Sequence, residues 1–188
     1  SSVVLWLLVY QRMAKNASVQ MAVKQLIESA PDLCRDNKRI REQTLSTGTG
    51  TYSDARKRLP LGVAEWFAKA VSDSIIATAP PSFGKQRAFI LDGTTIALAP
   101  EKELRRMFPP ASNQHGTGVW PVALLLVAHE LESGCALQPE IGAMYGPNAI
   151  SETELARACF GRLPADSIVM ADIGFGIFSV AWAAVEQG

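Results

Sequence analysis

Two aspartates stand where an apolar strand would not ordinarily carry a charge. Residues 89–95 read Phe-Ile-Leu-Asp-Gly-Thr-Thr, and the pattern runs on through Ile96, Ala97 and Leu98, so Asp92 falls mid-strand. Residues 167–175 read Ser-Ile-Val-Met-Ala-Asp-Ile-Gly-Phe, a second apolar run that ends on Asp172. Burying an unpartnered carboxylate is costly, so both positions call for partners or for a function. Two carboxylates on neighbouring strands suit Mg2+, which takes oxygen ligands and is held by one or two carboxylates together with substrate phosphate. A pair of such ions about 3.5–4 Å apart activates the attacking oxygen of a phosphodiester displacement and stabilises the leaving one. Each aspartate also has a structural reading, as a turn or strand-end residue bonded to backbone amides, and Asp172-Ile-Gly suits it.

The elements that must position these residues follow from periodicity. Residues 87–98, 119–129, 135–144 and 167–172 read as strands, with Pro121 at a strand start rather than a strand centre. Ser151-Glu-Thr-Glu154 is a capping box that opens a helix to about Arg162, and Phe175 to Gln187 form a last helix. The order is β-β-β-α-β-α. The first three strands can pair as an antiparallel meander, and the fourth can return parallel to the first by a right-handed crossover. Asp92 and Asp172 would then lie on adjacent strands. A short helical turn is expected around Lys102 to Phe108.

Upstream, residues 2–29 read as helix with a break near Lys15 to Ser18, carrying a stripe of Val19, Val23, Leu26 and Ile27 and ending at Pro31. Arg35 to Arg41 is a basic cluster, and Thr44 to Thr51 is a loop without the Lys of a phosphate-binding P-loop. Ser53 or Asp54 would cap a short helix bearing Arg56, Lys57 and Arg58. Residues 61–79 form an amphipathic helix, with Val63, Trp66, Phe67, Ala70, Val71 and Ile75 on one side, ended by Pro80-Pro81. The expected division is a helical, basic segment at 1–84 and a strand-rich domain at 85–188.

The chain has 188 residues, 48% hydrophobic and 19% charged, enough for one ordinary domain with an accessory segment. Its net charge of zero conceals an asymmetry. Residues 1–60 hold ten Lys/Arg against five Asp/Glu, and residues 61–188 hold eight against thirteen. A basic front that meets a polyanion and an acidic back that holds cations would produce this, as would two solvated surfaces. Cys34, Cys135 and Cys159 show no metal spacing, and their odd number argues against a disulfide framework, which fits a reducing cytoplasm. The apolar run Val3 to Tyr10 is short of the ~20 residues that span a bilayer and lacks the basic start of a signal peptide. The chain opens without Met and stops within a helical pattern, so it is expected to be part of a longer protein.

Three segments, in order, carry a resemblance: Gly48-Thr-Gly-Thr-Tyr-Ser-Asp-Ala-Arg-Lys-Arg-Leu-Pro60, Leu91-Asp-Gly-Thr-Thr95 and Met170-Ala-Asp-Ile-Gly-Phe-Gly-Ile-Phe178. Together they resemble the DDE transposases of bacterial insertion sequences, in the insertion-sequence-four family. The resemblance implies a ribonuclease-H-like catalytic core, of which β-β-β-α-β-α is the first part. It implies that Asp92 and Asp172 are the first and second catalytic acids, holding Mg2+ or Mn2+, with Gly174 and Phe175 as the glycine and aromatic that follow the second acid. Ile173 stands where relatives often have Arg. The partners implied are double-stranded DNA, as element ends and target, and further copies of the same chain, in a bacterial cytoplasm at the nucleoid. Tyr52, Arg56, Lys57 and Arg58, with Arg35, Lys38, Arg39 and Arg41, read either as a solvated face or as phosphate contacts, in which Lys and Arg supply position and affinity rather than base identity; the resemblance favours DNA contact for Arg56 and Arg58. The family's third acid is a Glu within a Tyr-x2-Arg-x3-Glu-x6-Lys pattern on a later helix. It has no counterpart here, and Glu186 is not read as a substitute. The chain as given is therefore expected to be an inactive part of a Mg2+-dependent enzyme of strand cleavage and strand transfer.

Other readings remain open. The chain could be a DNA-binding remnant of a transposase, or a ribonuclease-H-like nuclease without strand transfer. Asp-Gly-Thr after a strand is also similar to haloacid-dehalogenase-type phosphatases, but the nucleophile position there falls on Ile90, and no aspartyl-phosphate can form on it. His115, in a polar loop, could approach substrate but reads as a surface residue. His129 reads as structural. Trp6, Trp66, Trp120 and Trp182 read as core, with no base-stacking array.

Overall fold

The structure is a computed structural model that describes residues 2–15, 17–29, 38–42, 44, 48–114 and 116–187. Pro31, Cys34, Arg35 and His115 lie outside the described residues. The chain divides into two compact units, Ser1–Phe67 and Ala68–Gly188.

In the first unit, α1 (Ser2–Met13) and α2 (Val19–Ser29) are separated where the sequence predicts a break. The Ser18 hydroxyl accepts from Met21 N at 3.1 Å, a helix cap that restarts the chain after the turn. Leu7, Ala22, Val23 and Leu26 are buried together, flanked by Val3, Trp6, Tyr10, Val19, Ile27 and Tyr52. The stripe expected on α2 thus faces this small core, and Trp6 stacks on Tyr10 with ring centroids 5.1 Å apart. Next come α3 (Lys38–Arg41) and α4 (Gly50–Lys57). The latter begins at Gly50 after Thr49, which makes no side-chain cap, so Ser53 and Asp54 lie inside the helix rather than capping it. α5 (Leu61–Thr78) matches its predicted span, and the division between the units falls within it.

The second unit is a mixed α/β fold. Its elements are β1 (Ala88–Ala97), α6 (Lys102–Met107), the two-residue strands β2 (Ser112–Asn113) and β3 (Gly116–Thr117), β4 (Val122–Glu130) and β5 (Glu140–Ala143). After them come α7 (Glu152–Phe160), β6 (Ile168–Met170), a 3-10 turn at Ile173–Phe175 and α8 (Phe178–Glu186). The main sheet has the order β5-β4-β1-β6. β1 and β4 pair antiparallel from Phe89↔Glu130 to Ala97↔Val122, β4 and β5 pair antiparallel, and β6 returns parallel to β1 after α7. This is the meander and crossover that the strand order predicts. The strands are shorter than their apolar runs, because pairing rather than composition ends a ladder. The second starts at Val122, the third at Glu140 and the fourth stops at Met170.

The near-continuous apolar run of β4 fits a strand with neighbours on both edges. Phe89, Leu91, Leu124, Leu126 and Ala128 of the sheet pack with Leu155, Ala156, Cys159 and Phe160 of α7, and with Phe175 and Val180. The capping box starts α7 as expected. Ser151 Oγ accepts from Glu154 N at 3.3 Å, and Glu154 Oε2 accepts from Ser151 N at 2.9 Å. A polar clamp holds the start of β1. Glu130, wholly buried, accepts from Ser133 N at 2.8 Å, Ser133 Oγ at 2.6 Å and Arg87 Nη1 at 3.3 Å. Arg87 Nη2 donates to Ala79 O at 3.0 Å.

Three tryptophans expected in the core are exposed: Trp66 at 69%, Trp120 at 56% and Trp182 at 54%. Val71 and Ile75 of α5 are exposed as well, and the buried residue of that helix is Ser72, whose hydroxyl bonds Ala68 O and Ala136 O. An apolar stripe is buried only where another element lies over it, and periodicity carries no information about that partner.

Candidate functional site

Asp92 lies in the middle of β1, opposite Val127 of β4. On its other edge β1 pairs with β6 only as far as Ile90↔Met170. Asp92 and Asp172 each lie two residues beyond that last pair. Both are exposed, which corrects the expectation of carboxylates buried in apolar strands. Asp92 shares its face of β1 with Ile90, which is exposed although it still pairs with Met170, so that face of the strand is uncovered. Past Ile90, residues Asp92 and Thr94 to Ala97 are all exposed and Gly93 is half-buried. Hydrated carboxylates need no compensating partner, so the cost of burial is no argument for function here.

Asp172 also has a local role. It is the residue before the 3-10 turn, and its Oδ1 accepts from Gly174 N at 2.9 Å. Asp172 borders a hollow of about 230 Å³ lined also by Leu91, Val169, Phe175 and Ala181. The turn that Asp-Ile-Gly suggests is present, with the second carboxylate oxygen free of that bond.

Glu152 was not singled out by its sequence. A Cβ at Gly93, the residue after Asp92, would overlap the Glu152 carboxylate, so that side chain rests on the strand where glycine leaves room. Glycine inside a strand marks such close approaches, and Gly93 was the available signal. Successive strand residues face opposite sides, so Glu152 and Asp92 approach β1 from different faces. Among the described residues no three His, Cys, Asp or Glu side chains form a metal-holding group. Mg2+ commonly keeps several waters and adds only one or two carboxylates. Asp92 and Asp172 do not form a closed cage.

The cations fall on the first unit. Arg56 and Lys57 lie in the last turn of α4 and Arg58 caps it, all three exposed. Tyr52, on the same helix, is half-buried with its ring against the Leu7 cluster. Arg39 and Arg41 are exposed on α3, and Lys38 pairs with Glu42 at 3.8 Å.

Glu130, Glu154 and Cys159 have shifted acidities. Burial pushes the Glu130 carboxyl up, but the Ser133 hydroxyl and amide, with Arg87, outweigh it and hold it below the usual carboxylate range. The Ser151 amide and hydroxyl do the same for Glu154. Burial raises the Cys159 thiol, which disfavours the reactive thiolate. Among the described residues, no helix is long and apolar enough to cross a membrane. Comparison with protein-family models, with curated proteins and with solved structures found no match.

Proposed function

We propose that the second unit is the first part of a ribonuclease-H-like catalytic core and that the chain is a portion of a DDE-type DNA transposase. One observation carries this reading. The sheet order is β5-β4-β1-β6, with β1 antiparallel to β4 and parallel to β6, and Asp92 and Asp172 each follow the last β1–β6 pair by two residues. Asp92 and Asp172 would hold a hydrated Mg2+ or Mn2+ ion. The Gly174 amide orients one Asp172 oxygen and leaves the other to face the ion. The ion would supply Lewis-acid activation of the attacking oxygen and neutralise charge on the phosphodiester. Exposed cations of the first unit would hold the duplex by its phosphates.

The test is Mn2+ binding to the chain, followed by the electron paramagnetic resonance of free Mn2+. Asp92→Asn and Asp172→Asn each weaken binding, and Asn at 172 keeps an oxygen for Gly174 N, so the turn survives. Binding equal to wild type in both variants sinks the assignment. In a full-length protein the same substitutions abolish Mg2+-dependent strand cleavage and leave end binding intact.

A second reading is a DNA-binding protein with no working metal site; among the described residues no three His, Cys, Asp or Glu side chains gather into a metal-holding group. Duplex binding without measurable Mn2+ binding would select it. A haloacid-dehalogenase-like phosphatase has less support, since position 90 is Ile and β4, the longest partner of β1, is antiparallel.

A further inference from the structure

The first unit contains a hollow of about 460 Å³ lined by Leu8, Gln11, Arg12, Lys15 and Arg56, with the backbone at Ala14 and Ala17. We infer that this hollow is a phosphate-binding site for the DNA backbone, made by Arg12 at the end of α1, Lys15 in the turn after it and Arg56 at the end of α4. The inference rests on the DNA reading above and adds two residues, Arg12 and Lys15, that no motif marked.

Four observations support it. Among the described residues the lining brings three cations, from α1, the turn after it and α4, to one concavity and includes no carboxylate. Two acids of the unit are engaged elsewhere, Glu28 with Lys24 and Glu42 with Lys38, each at 3.8 Å. Asp54 lies two residues from Arg56 on α4, a spacing that does not place side chains face to face. The hollow would hold on the order of fifteen waters at ~30 Å³ each, so a phosphodiester can enter with part of its hydration.

The local chemistry suits an anion that comes and goes. Three cations around one hollow repel one another; the carbonyl ends of α1 and α4 offset that repulsion while the hollow is empty and weaken, without cancelling, the pull on a bound phosphate. Gln11 Nε2 donates to Ala17 O at 3.5 Å, which ties the rim to the turn after α1. Arginine offers a planar fork that matches phosphate oxygens, and lysine adds a point charge.

The experiment is binding of the full chain to a fluorescent DNA duplex, by anisotropy, from about 50 to about 200 mM salt. The variant is Arg12→Gln/Lys15→Gln/Arg56→Gln. The control, Lys24→Gln/Lys69→Gln/Lys102→Gln, removes the same charge from exposed positions outside the hollow. Circular dichroism confirms that both fold. Each phosphate contact contributes about 0.9 to the slope of log K against log salt, so the hollow variant loses about 2–3 in slope and the control much less. An unchanged slope in the hollow variant, or an equal loss in the control, overturns the site and leaves duplex binding and the Mn2+ result standing. A wild-type chain that binds no duplex overturns the site together with the DNA reading. Tighter binding to an RNA duplex of the same sequence overturns DNA as the ligand.

Discussion

Replacing Arg87 with Met removes the cation that faces a wholly buried carboxylate. Arg87 makes two bonds, to Glu130 Oε1 at 3.3 Å and to Ala79 O at 3.0 Å. Without the guanidinium, Glu130 keeps Ser133 N and Ser133 Oγ on Oε2, while Oε1 loses the partner shown for it. Breaking a buried ion pair from one side costs about 3–5 kcal/mol, because the remaining charge has lost its compensation. The Arg87 side chain is 23% exposed and the Glu130 side chain 0%, so water can follow the lost side chain only in part. The expected loss is therefore at the lower end, about 3 kcal/mol. Adding Glu130→Gln removes the buried charge and restores about 1–2 kcal/mol relative to the single variant. The assay is urea unfolding at neutral pH in a Trp6→Phe/Trp66→Phe background, so that the signal comes from Trp120 and Trp182 in the same unit as the pair. The pH dependence has a definite sign. The folded-state pKa of Glu130 is depressed, so its contribution is present above the ordinary carboxylate range and is lost as pH falls through the folded-state value. In Arg87→Met two of the lowering influences are gone while burial remains, so Glu130 protonates earlier. The gap between wild type and variant narrows as the pH falls. A single variant within about 1 kcal/mol of wild type, or a double variant no more stable than the single, would refute the view that Arg87 offsets a buried charge.

Two further outcomes follow from packing and capping. Gly142→Ala, in β5, places a Cβ on Ile150 Cγ2 and against Leu155, and it destabilises by about 1–3 kcal/mol in urea unfolding because branched Ile150 has little room to rotate away. A neutral effect would contradict the close packing of β5 against the α7 segment. Ser151→Ala removes the hydroxyl of the capping box and lowers stability by about 1 kcal/mol. Carboxyl-detected NMR titration of the same variant finds the Glu154 carboxyl moved back up towards its ordinary value, since the Ser151 amide remains but the hydroxyl does not. An unmoved Glu154 would separate its acidity from the cap.

The amino-acid sequence by itself determined the local elements and their order. The helix break before Ser18, the α5 span, the capping box at Ser151 and the β-β-β-α-β-α succession are written in periodicities and short-range bonds, which act over a few residues. It also marked the return of the fourth strand parallel to the first, which the ladder between Ala88–Ile90 and Ile168–Met170 bears out. What the tertiary structure decided depends on partners distant in the chain. Whether Trp66, Trp120 and Trp182 are buried, and how far β6 pairs with β1, are set by what lies over or beside each element. The same holds for the burial of Glu130 beside Arg87 and for the convergence of Arg12, Lys15 and Arg56 on one hollow. A carboxylate in an apolar run looks the same in sequence whether its face of the strand lies under another element or is bare. Ile90, on the same face of β1 as Asp92, is exposed although it still pairs with Met170, while Phe89 and Leu91 on the opposite face pack under α7, so the bare face of the strand is what left Asp92 in water.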